Sequence, residues 1–135
     1  MARAAHPSAT PVQLFPTADG WIFVMCMTGK FWSNLLAETG RGDLALDPRF
    51  ATIALRREHR DELTEVLDGE FRQDTTEGWL ARLRHLLPAA PVLTLPQALD
   101  NPFARETGMV RDLPHPLMAE FRALANPIRL DGLRL

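Results

Sequence analysis

The sequence predicts an α+β fold: a small antiparallel sheet packed with about three amphipathic helices. Three observations carry that expectation. Two strand-like runs flank the turn signal Asp19-Gly20 near the N-terminus. Three later stretches repeat apolar residues at helical spacing. The last third of the chain returns to short strand-like pieces broken by proline. With 46% hydrophobic and 24% charged residues, the 135-residue chain has the composition to bury a core. Residues 1–135 are therefore expected to form a single small α+β domain.

The first pair of strands spans residues 11–27. Val12, Leu14 and Phe15 lead into Pro16-Thr17-Ala18-Asp19-Gly20, and Trp21 to Met27 is continuously apolar. An unbroken apolar run predicts a central strand covered on both faces. Thr28 offers a hydroxyl to cap a helix that carries Phe31, Trp32, Leu35 and Leu36 on one stripe. Gly40 stands where a left-handed residue would end it. After a loop from Arg41 to Phe50, a single long helix is expected from Ile53 to Arg72, following a Thr52 cap. It would bear Leu55, His59, Leu63, Val66, Leu67 and Phe71 at helical spacing, with Asp61, Glu62 and Glu65 pairing to arginines one turn away. A third helix starts at Thr75 or Thr76, buries Trp79, Leu80, Leu83 and Leu87, and ends before Pro88. Beyond Pro91 the pattern predicts a brief strand at Val92-Leu93 and helical turns at Leu95–Leu99 and Pro102–Thr107, the second ended by Gly108. Final strands are expected at Met109-Val110 and Ile128–Leu130.

The residues carry little self-contained chemistry. Net charge is −2, and fourteen of the 15 basic residues are arginines interleaved with acids, as in Arg56-Arg57-Glu58-His59-Arg60-Asp61-Glu62. That is a solvated helix face, not a nucleic-acid footprint. The single cysteine, Cys26, sits in an apolar run where a buried structural thiol is expected. The run is too short to cross a bilayer, and Met1–Pro7 lacks the apolar stretch of a signal peptide, so a cytoplasmic location with no membrane partner is expected. His59 and His85 lie in amphipathic helices, and His115 is held between two prolines; none has carboxylates at a spacing that builds a metal cage. No Gly-x-Ser-x-Gly elbow, Gly-x-Gly-x-x-Gly cradle or His-Glu-x-x-His pair is present, and tyrosine is absent. Trp21, Trp32 and Trp79 read as core anchors. No catalytic and no metal-ligating residue is assigned.

Recurring phrases in serial order add a resemblance. His6-Pro7-Ser8-Ala9-Thr10-Pro11-Val12-Gln13-Leu14-Phe15-Pro16-Thr17-Ala18-Asp19-Gly20 resembles the opening of the small domain of class III coenzyme A-transferases, which include formyl-CoA and carnitine-CoA transferases. Asp47-Pro48-Arg49-Phe50-Ala51-Thr52, His59-Arg60-Asp61-Glu62-Leu63, Thr76-Glu77-Gly78-Trp79-Leu80 and Ala90-Pro91-Val92 follow in the family's order. So do Asn101-Pro102, Arg105, Gly108-Met109, Pro114-His115-Pro116 and Pro127-Ile128-Arg129-Leu130.

The resemblance implies the small domain of a larger two-domain enzyme whose subunits interlock as a homodimer. That enzyme moves coenzyme A between an acyl-CoA thioester and a carboxylic acid through an aspartate that forms an acyl-enzyme anhydride and then an aspartyl-CoA thioester. None of the nine aspartates here matches the motif of that nucleophile. This chain alone is therefore expected to be inactive, with coenzyme A thioester a substrate of the full enzyme and no cofactor bound tightly. In formyl-CoA transferases a mobile glycine-rich loop precedes the position of Pro7; here Arg3-Ala4-Ala5-His6 stands there. His6, Pro7 and Ser8 are accordingly the candidate substrate-binding residues. Related α-methylacyl-CoA racemases carry a glutamate where this chain has Thr28. The alternatives are a fragment of such a racemase, or a stand-alone interaction domain that associates with a large domain or another chain.

Overall fold

The computed structural model describes residues 2–134, and they fall into two compact units that divide between Val92 and Leu93.

In the first unit, β1 (Val12–Pro16) and β2 (Trp21–Met25) form the expected hairpin, with Phe15 opposite Ile22 and Leu14 opposite Phe23. A third strand, β3 (Ala89–Pro91), pairs antiparallel with the other edge of β2. Thr17 donates its amide to the Gly20 carbonyl at 2.9 Å to close the turn. The Asp19 carboxylate reaches further: it accepts from the Thr76 amide at 2.7 Å, the Thr76 hydroxyl at 2.9 Å and the Thr17 hydroxyl at 3.2 Å. These bonds, the Thr76 amide foremost, hold its carboxyl below the usual carboxylate range.

Helix α1 (Gly29–Thr39) begins and ends as its sequence predicts. The Thr28 hydroxyl accepts from the Phe31 amide at 3.2 Å, and Gly40 ends the helix at φ 69°. Two 3₁₀ turns, Gly42–Ala45 and Pro48–Phe50, then carry Leu44 and Phe50 into the core. In the first, the Arg41 guanidinium grips Asp43 at 2.7 and 2.9 Å, so the Arg-Gly-Asp triplet is closed on itself.

The single helix expected over 53–72 is instead two, α2 (Ile53–Glu58) and α3 (Arg60–Phe71), broken at His59 with φ −100° and ψ 32°. The charge order explains the break. Arg56 and Arg57 fill the last turn of α2 and Asp61 and Glu62 the first turn of α3, each complementing the partial charge of its helix end. His59 Nδ1 also sits 3.0 Å from the Glu62 carboxylate, a side-chain bridge at N-cap-to-N3 spacing. Glu62 pairs with Arg49 across the sequence rather than with an arginine one turn away. Helix α4 (Thr76–Leu83) follows, capped by the Thr75 hydroxyl, and a further turn brings Leu87 into the core.

The core lies on one face of the sheet. Phe15, Ile22, Val24, Leu35, Phe50, Leu63, Leu67, Phe71, Trp79 and Leu83 meet there. The opposite face differs from expectation. Along β2, Ile22 and Val24 are buried, but Phe23 and Met25 are half-buried and Trp21 is 41% exposed. Strand residues alternate faces, so the apolar run Trp21–Met27 is covered fully on one side only. Trp21 is a surface residue with the Arg3 guanidinium 5.9 Å from its ring, not a core anchor.

In the second unit, α5 (Leu95–Asp100) and α6 (Pro102–Glu106) precede two hairpins. One joins β4 (Val110–Asp112) to β5 (Arg122–Leu124), the other β6 (Arg129–Leu130) to β7 (Leu133–Arg134). The strand expected at Val92-Leu93 lies at Ala89–Pro91 instead, because Thr94 already serves as the N-cap of α5. The Asp100 carboxylate accepts from Arg122 at 2.6 Å and Arg105 at 2.7 Å, which ties α5 to α6 and β5; Arg122 chiefly holds that carboxyl below its usual range. No described side chain of this unit is buried. Leu95, Phe103, Leu124, Ile128, Leu130 and Leu133 are exposed, and Leu117 is 89% exposed. Apolar surface on this scale is unusual for a finished monomer surface. No helix among the described residues is long and apolar enough to cross a membrane.

Candidate functional site

Helix α3 uses two adjacent stripes differently. Leu63, Leu67 and Phe71 face the core. One step round the helix, positions 60, 64 and 68 face the N-terminal segment, since residues four apart share a face. Each of the three makes a tie. Arg60 Nη2 donates to the His6 carbonyl at 2.7 Å. Gln13 Nε2 donates to the Thr64 hydroxyl at 2.9 Å. Arg3 Nη1 donates to both oxygens of Asp68, at 2.5 and 2.6 Å. The three rungs span two helical turns, about 12 Å.

Between the segment and the helix lies a cleft of about 570 Å³, lined on one side by Arg3, Ala5 and Pro7 and on the other by Arg57, Arg60, Asp61, Thr64, Glu65 and Asp68, with Gln13 contributing from β1. Three guanidinium and three carboxylate groups line it, so it holds no excess of either charge.

The predicted residues divide. Pro7 lines the cleft; His6 and Ser8 are not among its lining residues. His6 builds the local turn: its Nδ1 accepts from the Ala9 amide at 3.1 Å and the Ser8 amide at 3.2 Å, while the Ser8 hydroxyl lies 3.4 Å away. That arrangement leaves the ring proton on Nε2 in the neutral imidazole. Sequence reasoning missed Arg3, Gln13, Arg60, Thr64 and Asp68. A signal was present in the polar positions 60, 64 and 68 beside the apolar stripe, but their partners lie about fifty or more residues away. Thr28 uses its hydroxyl on the cap of α1.

Among the described residues the remaining titratable groups form no second centre. Among the described residues no group of three His, Cys, Asp or Glu side chains could hold a metal ion. His85 is exposed, and His115 Nδ1 accepts from the Leu117 amide at 3.2 Å. Cys26 is fully buried, and burial pushes its thiol up to about 12 from an ordinary 9.0, outweighing the opposing charge of the nearby Arg56. A native Cys26 is therefore expected to resist iodoacetamide at pH 8 and to react promptly in denaturant, read by intact mass; prompt native alkylation would contradict the burial. Because the folded value is the raised one, this thiol's contribution to stability is complete below pH 9 and is lost as pH climbs toward about 12.

These features define a small α+β domain with a charge-balanced cleft and no metal centre among its described residues. The comparisons are specific about its family. A model of CoA-transferase family III matches residues 1–135, so the chain belongs to that family. An acyl-CoA transferase of Fusarium pseudograminearum is 31% identical over 110 residues, covering 81% of this chain and 24% of that protein. The human succinyl-CoA:glutarate CoA-transferase is 24% identical over 132 residues, covering 97% of this chain and 30% of the relative. The crystal structure of a CAIB/BAIF family protein from Brucella suis superposes with a TM-score of 0.83 at 30% identity, over 96% of this chain and 33% of that one. The chain thus spans a quarter to a third of the length of these relatives.

Proposed function

We propose that the chain is the small domain of a coenzyme A-transferase that moves coenzyme A from an acyl-CoA thioester to a carboxylic acid, with both units assigned to this one domain. The observation that carries the reading is the family match along the whole chain, joined to coverage of only a quarter to a third of each relative. In this reading the nucleophilic aspartate resides on polypeptide outside these residues. Every carboxylate lining the cleft belongs to α3, and the most buried of them, Asp68, is neutralised by Arg3. Coenzyme A enters as a substrate, with no tightly bound cofactor. His6, Pro7 and Ser8 are proposed to border the substrate path, Pro7 directly and the other two by shaping its turn. The enzyme is proposed to work in the cytoplasm, as a homodimer.

A second reading, a stand-alone interaction module, is favoured by the exposed apolar side chains of residues 95–133. In the transferase reading the same surface is covered by the large domain or a second subunit. One experiment separates the two. The purified 135-residue chain is expected to transfer no coenzyme A between succinyl-CoA and a panel of free dicarboxylic acids, while the same chain joined to a family III large domain is expected to do so. Turnover by the chain alone would overturn the placement of the nucleophile. No turnover from the joined protein, folded and dimeric, would favour the interaction module.

A further inference from the structure

The segment that forms one wall of the cleft is held unevenly: Ala9, Thr10 and Pro11 are buried, whereas Ala5 to Ser8 lie nearer the surface. Its C-terminal end is tied at the Pro11 carbonyl, which accepts from the Cys26 amide at 2.9 Å, and at the Thr10 carbonyl, which accepts from Arg56 Nε at 3.0 Å, while nearer Pro7 the His6 amide donates to the Val12 carbonyl at 2.9 Å. Arg3 and Ala4 adopt positive φ of 60° and 51°, a region that non-glycine residues occupy only under external constraint. From α3 the segment is tied by the three rungs, which do not act equally on Pro7. Gln13 is already fixed in the β1–β2 ladder opposite Val24, and the Arg3–Asp68 pair lies four residues upstream. Of the three rungs only Arg60 reaches the residue next to Pro7, taking the His6 carbonyl while the His6 amide bonds Val12, and it does so with a charged donor on a main-chain carbonyl, among the stronger hydrogen bonds a protein makes. On the far side of Pro7 the His6 imidazole closes the turn by accepting the Ser8 and Ala9 amides. Pro7, its own φ fixed by its ring, is thereby held between a pinned carbonyl and a closed turn.

We infer that Arg60 is a positioning residue: from α3 it fixes Ala5–Ser8 as a wall of the cleft and so sets the geometry in which coenzyme A transfer occurs, the functional half of this inference resting on the reading proposed above. Arg60 touches no reacting atom in this role. Its effect passes through the His6 carbonyl, and a lysine at this position, able to donate a single charged bond, should replace it in part.

The test has two arms. In the 135-residue chain, R60A is expected to speed amide hydrogen exchange at His6, Ser8 and Ala9 by roughly ten- to a hundredfold. Amides of the β1–β2 ladder should keep their protection, and R60K should restore much of the loss at the three reporters. In the longer enzyme, R60A is expected to lower kcat by about tenfold with a smaller change in KM, as a misplaced wall affects the transition state more than binding; R60K should recover it. Unchanged exchange at the three amides would overturn the positioning role. Faster exchange with wild-type kcat and KM would overturn its functional half. A wild-type longer enzyme that transfers no coenzyme A would instead overturn the proposed function, while the exchange arm still decides whether Arg60 holds the wall. Should R60A fail to fold, R60Q gives the same readouts with volume retained and the charge removed.

Discussion

Phe71→Ala is expected to remove about 3–5 kcal/mol of stability. Phe71 is fully buried and its ring stacks on Phe15 with centroids 4.8 Å apart and planes 24° apart. Its other side meets Trp79 at 4.8 Å, tilted 57°. Its carbonyl accepts the Trp79 indole N–H at 2.8 Å, which anchors α4 to the end of α3. Alanine would leave a cavity bounded by two aromatic rings that cannot collapse together without moving the sheet or a helix. Phe71→Leu keeps most of the volume and is expected to cost less than about 2 kcal/mol. Chemical denaturation followed by tryptophan fluorescence measures both, and near-equal losses would show that the cavity is not what sets the cost.

Arg56→Ala follows, with an expected loss of about 3 kcal/mol that combines two orphaned carbonyls and a void. Arg56 is 2% exposed and has no carboxylate partner. Its Nε donates to the Thr10 carbonyl at 3.0 Å, its Nη1 to the Phe50 carbonyl at 2.8 Å, and its guanidinium lies 4.6 Å from the centre of the Trp32 ring. One side chain thus joins the segment before β1, the loop after α1, and α1 itself. Two effects oppose each other. Burial disfavours the charged guanidinium and lowers its pKa, so removing the charge relieves a desolvation cost. Leaving two buried carbonyls unpaired costs about 1–3 kcal/mol each and wins. Arg56→Met keeps the packing but not the donors, so it should recover only the cavity part of the loss. A methionine variant as stable as wild type, by thermal unfolding, would mean that the carbonyl bonds contribute nothing net.

The parts of this fold that are legible in the sequence are those set by chemistry within a few residues. Asp19-Gly20 predicts the hairpin turn, Thr28 and Gly40 bracket α1, and Thr75 starts α4, because a turn or cap depends on which side chain stands at one position. The misplaced features depend on distant partners. Arg56 and Arg57 read as solvated charges, yet Arg56 is the most buried charged residue in the unit, since main-chain carbonyls at Thr10 and Phe50 leave no trace in a sequence. Trp21 has the composition of a core residue, but whether a sheet's second face is covered depends on what lies over it. The break at His59 is written in the local charge order, but the apolar spacing runs through it unbroken and hides it. The site shows the same division. The resemblance points to His6, Pro7 and Ser8, of which Pro7 lines the cleft, while Arg3, Arg60 and Asp68 require knowing that residues 3–13 lie along α3.

The strand order has a consequence for how the first unit holds together. β2 is bonded along one edge by residues 12–16 and along the other by residues 89–91, chain drawn from opposite extremes of the unit. Helices α1 to α4 all lie on the excursion from β2 to β3, so the β1–β2 edge closes locally while the β2–β3 edge works as a clasp that shuts only when that excursion has returned. A backbone nick in the loop between α1 and α2 would leave two pieces that still grip each other through the ladder and the shared core.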